Sequence, residues 1–80
     1  MSKGELVNII SQLIIAETGE INLSIDPKVE FINYGLDSIQ GINLLIKLEK
    51  ELKTEINPLS LWEYPTPEAL ANHLYQRIKQ

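Results

Sequence analysis

The serines, the single histidine and a scatter of carboxylates are the side chains of this sequence best suited to chemistry. Ser2, Ser11, Ser24, Ser38 and Ser60 are candidate nucleophiles, and each would need a base and an oxyanion hole to act as one. The one imidazole, His73, falls between apolar positions of a helical stretch and is expected on the solvated surface. Neither a G-x-S-x-G elbow nor a glycine-rich phosphate cradle is present. Glu49 and Glu51 stand two apart on a helical stretch, so they cannot face each other and are expected on a solvated face. Cysteine is absent, which excludes disulfides, thiolate catalysis and cysteine-based zinc sites. A lone histidine likewise excludes a multi-histidine metal site. A self-contained enzyme is not expected.

Ser38 stands apart from the other serines. It follows Gly35-Leu36-Asp37 and opens a helical stretch. At a helix start its hydroxyl points outward, beside backbone N–H groups without partners and next to a carboxylate. The plain reading of Asp37-Ser38 is ordinary N-cap chemistry. Local physics alone leaves both readings open.

The elements that must position Ser38 read as helices. Ser2-Lys3-Gly4-Glu5 has the form of a capping box, and Leu6, Ile9, Ile10, Leu13 and Ile14 recur at helical spacing through about Glu17. Gly19 is a natural stop. Residues 19–37 read as a long loop, yet Ile21, Leu23, Ile25, Val29, Phe31 and Ile32 predict that it packs onto the core. Asp26-Pro27 suits a brief helical turn, and the alternation at 21, 23 and 25 also fits a short strand that lacks a partner.

From Asp37, an expected N-cap, a second helix carries apolar side chains at Ile39, Ile42, Leu45, Ile46 and Leu52. Gln40, Asn43, Lys47, Lys50 and Glu51 form its polar arc. Leu44 and Leu48 widen the apolar sector beyond one core face, so this helix is either central or partly turned toward another protein. Pro58 to Tyr64 predicts one or two turns. Thr66 then caps a last helix with Pro67 at its first position, Glu68 near its positive end, and Arg77 and Lys79 near its negative end. Leu70, Ala71, Leu74 and Ile78 are its expected core stripe. The fold class is all-α: a small four-helix bundle of three main helices and one short one, with a long first loop.

Eighty residues allow a single domain, 1–80, with one modest core and little surface for a deep cleft. The longest apolar runs are four residues, as in Leu13 to Ala16, too short to span a membrane. No secretory layout opens the chain, and a soluble cytoplasmic protein is expected. The formal net charge of -4 gives no electrostatic reason to bind nucleic acid.

Phe31-Ile32-Asn33-Tyr34-Gly35-Leu36-Asp37-Ser38-Ile39 resembles the F-x-x-x-G-x-D-S-hydrophobic signature of acyl carrier proteins. Downstream, Trp62-Glu63-Tyr64-Pro65-Thr66-Pro67-Glu68-Ala69-Leu70-Ala71 is similar to the pattern that joins their short helix to their last one. The resemblance runs from about Leu6 to Ile78. It implies that Ser38 carries 4′-phosphopantetheine, attached by a separate phosphopantetheinyl transferase, and that the arm's thiol holds acyl groups as thioesters. A carrier without cysteine must import its thiol in this way.

The resemblance also implies roles for neighbouring residues. Asp37 caps the second helix and assists the transferase and its metal at the modification site. Leu36 and Ile39 are expected to form an exposed apolar rim, and Gln40, Asn43, Lys47 and Lys50 an outward docking strip. Phe31 is expected to anchor the loop, and Gly35 to adopt a positive φ. Core packing accounts for Trp62, which stands where Phe is more usual, as readily as a partner contact does.

Fatty-acid-type carriers have an acidic second helix, whereas Asp37, Glu49 and Glu51 here balance Lys47, Lys50 and Lys53. Shape and apolar contact should therefore govern docking more than long-range attraction. The motifs look closest to polyketide-synthase carriers. Peptidyl carriers more often show a Gly-Gly-x-Ser style at Gly35-Leu36-Asp37-Ser38. Leu44 occupies the place where carriers serving β-branching tend to have tryptophan, which argues against that specialised role. The expected partners are the transferase, an acyl-loading enzyme, a ketosynthase and other biosynthetic enzymes, met by a monomer. Alternatives are a discrete carrier loaded with a fatty acid by an adenylate-forming ligase, and a small helical adaptor without a prosthetic group. Met1 so close to the first helix suits a free-standing protein and an engineered start equally well.

Overall fold

The computed structural model describes residues 1–79, with Lys79 described in its backbone alone. The expected role of the Lys79 side chain at the chain's end lies outside the described residues. Helix α1 spans Lys3–Thr18 and starts on a reciprocal cap. The Glu5 N–H donates to Ser2 Oγ at 3.1 Å, and the Ser2 N–H donates to the Glu5 carboxylate at 3.1 Å. Two of the N–H groups that a helix start leaves without partners are thereby satisfied. Gly19 ends α1 in the left-handed region at φ 72°, which L side chains rarely adopt.

Helix α2 spans Ser38–Leu52, α3 is a single turn at Ser60–Glu63, and α4 spans Pro67–Lys79. No strand occurs among the described residues, and the alternation at Ile21, Leu23 and Ile25 is uneven: Leu23 and Ile25 are half-buried against the core, whereas Ile21 is 84% exposed. Asp26-Pro27 forms a turn, not a helix: the Val29 N–H donates to the Asp26 carbonyl at 3.0 Å.

The long loop packs through part of its apolar set: Phe31 is buried and Leu23, Ile25 and Val29 are half-buried, whereas Ile21 and Ile32 stay exposed. Phe31 is buried at the start of a 3₁₀ turn, Phe31–Tyr34, and its N–H donates to the Pro65 carbonyl at 2.8 Å. The Pro27 carbonyl accepts from the Glu68 N–H at 2.9 Å, supplying a partner for the first turn of α4. Within the loop, the Tyr34 hydroxyl accepts from the Asp26 N–H and donates to the Asp26 carbonyl, both at 2.8 Å. These bonds hold the segment before Ser38 against the start of α4.

The core is formed where α1 packs against α4 and α2. Leu6, Ile10 and Ile14 meet Leu44 and Leu48 of α2, and Leu70 and Leu74 of α4, all fully buried. Thr66 caps α4 through its hydroxyl, which accepts from the Ala69 N–H at 3.1 Å. Two expectations for α4 are corrected. Ile78 is 40% exposed, because the stripe runs past the end of the core beside it. His73 is half-buried and stacked on Tyr64, with ring centroids 4.1 Å apart, so it is part of the packing between α4 and the segment that follows α3.

Candidate modification site at the start of α2

Asp37 and Ser38 owe their positions to two local devices. Gly35 turns the chain at φ 80°, a left-handed conformation suited to glycine, and its N–H donates to the Ile32 carbonyl. Asp37 then caps α2 in extended conformation. Its carboxylate accepts from the Gln40 N–H at 2.8 Å, and the Gln40 side chain accepts from the Asp37 N–H at 3.2 Å. The Gly41 N–H is satisfied by the Asp37 carbonyl at 2.9 Å. Ser38 is the first residue of the helix and is exposed. The first N–H groups of such a helix point past it with no intrahelical acceptor, an environment that favours an anionic ester on the serine oxygen.

The two residues flanking this pair divide. Ile39 is 71% exposed and Leu36 only 6%. The expected apolar rim on both sides therefore has one member on the surface. Leu36 turns inward after Gly35 and joins buried Phe31 and Leu61 in the core cluster. Ile42 and Ile46, part of the apolar sector read from sequence, are 47% and 45% exposed. The core takes Gly41, Leu44, Leu45 and Leu48 instead. Successive spacings of three and four residues place Ile39, Ile42 and Ile46 on one helical face beside Ser38. Leu44 and Leu48 belong wholly to the core, which settles the ambiguity of their sector.

The polar strip is likewise divided. Asn43 and Lys50 are exposed. Gln40, by contrast, donates through its side-chain amide to the Glu17 carbonyl at 3.2 Å. The Lys47 ammonium lies 2.7 Å from the Glu17 carboxylate, whose side chain is only 9% exposed. Both residues tie α2 to the C-terminal turn of α1, so they orient the helix as well as line its surface. Glu49 is not on a free solvated face either: its carboxylate accepts from the Ile56 N–H at 3.0 Å and holds the chain leaving α2.

A pocket of about 190 Å³ opens beside Asp37, between the 3₁₀ turn and α3. Its lining includes buried Phe31, Leu36 and Leu61 and exposed Ile32 and Trp62, with Glu30, Asp37 and Pro65 completing it. Trp62 is 57% exposed, so core packing does not explain it. Sequence reasoning missed Ile32 and Trp62 as site residues. The signal that pointed to them was a large apolar side chain in segments too short to bury every one they carry. The site offers one exposed serine, a helix N-terminus, the Asp37 carboxylate beside it and apolar surface; no cluster of three or more side chains able to hold a metal ion occurs among the described residues.

An all-helical bundle that lifts one serine onto the first turn of its second helix has the architecture of a carrier domain. Residues 8–74 match the family described as the phosphopantetheine attachment site. The chain belongs to that family, whose domains carry covalently attached 4′-phosphopantetheine. It is 36% identical over 63 residues to a non-reducing polyketide synthase, ntnG, of Nectria sp., a match covering 79% of this chain and 3% of that protein. Polyketide synthase PksM of Bacillus subtilis is 33% identical over 72 residues, which is 90% of this chain and 2% of that protein. The chain thus spans only a few per cent of these large relatives. A free-standing peptidyl carrier protein from Acinetobacter baumannii superposes with a TM-score of 0.82 at 36% identity, covering 96% of each chain. BlmI, a type-II acyl carrier protein from Streptomyces verticillus, shares the fold with a TM-score of 0.85 at 21% identity, over 95% of this chain and 89% of that one.

Proposed function

We propose that this protein is a carrier of polyketide-type biosynthesis, bearing acyl intermediates on a phosphopantetheine arm attached to Ser38. The observation that carries the reading is the exposed Ser38 hydroxyl on the first turn of α2, capped by Asp37, in a chain of the phosphopantetheine attachment family. In the attachment step Ser38 Oγ attacks the phosphorus next to pantetheine in coenzyme A. The P–O bond of the diphosphate breaks, adenosine bisphosphate leaves, and the hydroxyl proton passes to a base of the transferase. Asp37 supports this step as the carboxylate nearest in sequence, available to the transferase's metal while it holds the helix start. The attached arm supplies the thiol on which an acyl group is held.

Every barrier-lowering step is left to partner enzymes. The carrier contributes tethering, which raises effective concentration, and orientation. Ile39, Ile42 and Ile46 form the apolar face that partners meet, with Asn43 and Lys50 at its polar border. The balanced charge of α2 supports docking that depends on shape and apolar contact, in short-lived complexes suited to a protein that must move on. A cytoplasmic monomer served by a transferase, an acyl-loading enzyme and a ketosynthase is the setting this reading implies.

A second reading, a discrete carrier loaded by an adenylate-forming ligase with a fatty acid, has one observation in its favour. The full-length likeness to a free-standing carrier shows that a domain of this extent occurs as a whole protein. Membership of the family leaves the adaptor reading without support. Intact mass after incubation with a pantetheinyl transferase, coenzyme A and magnesium tests the proposal. One pantetheinyl phosphate should be added to the wild type and none to Ser38→Ala, whose circular dichroism should be unchanged. A Ser38→Ala variant that is still modified, or a wild type that is not, would overturn it. Loading assays with malonyl extender groups and with fatty acid plus ligase then separate the two cargo readings.

A further inference from the structure

The pocket between the 3₁₀ turn and α3 opens beside the proposed attachment residue, and apart from Asp37 its lining is not used by the attachment step described above. Asp37 contributes to its lining and Ser38 is the next residue. Ile32 is 65% exposed and Trp62, the only tryptophan, 57% exposed, so the core leaves both beside a hollow it does not fill. Large apolar side chains held open to water around a hollow mark a place for an apolar group.

We propose that this pocket seats the geminal dimethyl group of the arm's own pantoyl unit, between Trp62 and Ile32. The inference rests on Ser38 as the attachment point. Along the arm, the quaternary carbon with its two methyls lies one methylene beyond the phosphate. A hydroxyl, two amides and the thiol follow, all more readily hydrated. The branched apolar piece is therefore the one that must lie near Ser38, and this pocket is the apolar hollow beside that residue. A cavity of about 150 Å³ admits benzene, so about 190 Å³ has room for a dimethyl-substituted carbon. The tether raises the local concentration to the millimolar range, so a weak contact suffices.

Seating there sets the direction of the arm. Leu61 of α3 approaches α2 at Gly41, where an added Cβ would come within 3.1 Å of Leu61 Cδ2. Gly41 and Ile39 are about 160° apart around the helix. An arm leaving along α3 therefore departs from the side of α2 opposite Ile39. The isoleucine face stays open for partners while the thiol extends past Trp62.

The test is nuclear magnetic resonance on apo protein and on holo protein made with native coenzyme A, with intact mass proving the conversion. Expected are Overhauser contacts between the arm's methyl protons and the Trp62 indole, with resonance shifts at Ile32 and Leu61 and a change in tryptophan emission. In Trp62→Ala the mass increase should persist while the shifts at Ile32 shrink at least twofold. Holo protein with the added mass but no change at Trp62, Ile32 or Leu61 would overturn the seating and leave the attachment reading intact. Failure of the mass increase would remove the attachment reading and this inference with it. Should Trp62→Ala fail to fold, the wild-type Overhauser contacts decide the matter alone.

Discussion

Leu44, Leu45 and Leu48 on one side of α2, and Ile39, Ile42 and Ile46 on the other, are alike in hydrophobicity and opposite in surroundings. The leucines are buried against α1 and the rest of the core, whereas the isoleucines are between 45% and 71% exposed. A helix apolar on both sides is normally a central one. Here it is peripheral on its isoleucine side, and that side begins one residue after Ser38. The difference teaches that the periodic signal marks two faces, one serving the fold and the other left open to solvent, the face proposed above for partner enzymes.

The comparison breaks most decisively on stability. Leu48→Ala should cost about 2–5 kcal/mol, a large share of what a domain this small possesses. Ile39→Ala should change stability by about 0.5 kcal/mol or less. Urea unfolding of both variants, followed by circular dichroism, measures the contrast; equal losses would mean that the two faces are not distinct. Ile39→Glu sharpens it from the other side. The fold should persist while kcat/KM with the transferase or a loading enzyme falls about tenfold, equivalent to ~1.4 kcal/mol of interaction. Normal turnover by Ile39→Glu would move the docking face elsewhere.

Asp37→Ala tests the border between the faces, since Asp37 both caps the helix and adjoins Ser38, the proposed attachment residue. Loss of the cap should cost about 0.5–2 kcal/mol in thermal or chemical unfolding. Asp37→Asn should recover most of that stability and little of the modification rate.

The smallest effect lies far from α2. Glu5 is held below the ordinary glutamate range, first by the Ser2 backbone N–H and then by the Ser2 hydroxyl. A carboxylate lowered on folding stabilises above its unfolded pKa, and this is lost as pH falls through the folded value. Ser2→Ala should therefore narrow the stability gap to wild type in acid, below the ordinary glutamate pKa, and show its full deficit at neutral pH. A pH-independent deficit in melting temperature would contradict the cap's electrostatic share.

Local features were legible in the chain because their causes lie within a few residues. Ser2 and Glu5, Gly19, Gly35, Asp37 and Thr66 mark where helices start and stop, and each does so in the structure. Phe31 was legible as an anchor because a loop rich in large apolar residues has to cover something. Ile42, Ile46, Leu36 and Trp62 were not, since their fates depend on the positions of other elements. Period alone shows that a side is apolar, never which apolar side the bundle will cover.

By itself, then, the sequence determined four helices, the caps of the three main ones, the absence of cysteine, and the motif around Ser38. Only the tertiary structure decided that α1 and α4 cover the leucine side of α2, that Glu17 holds Gln40 and Lys47, and that Leu36 turns inward while Trp62 stays out. Caps and helical hydrogen bonds close over three to five residues, so composition and spacing specify them. Burial is shared among segments distant along the chain, and is settled when they pack together.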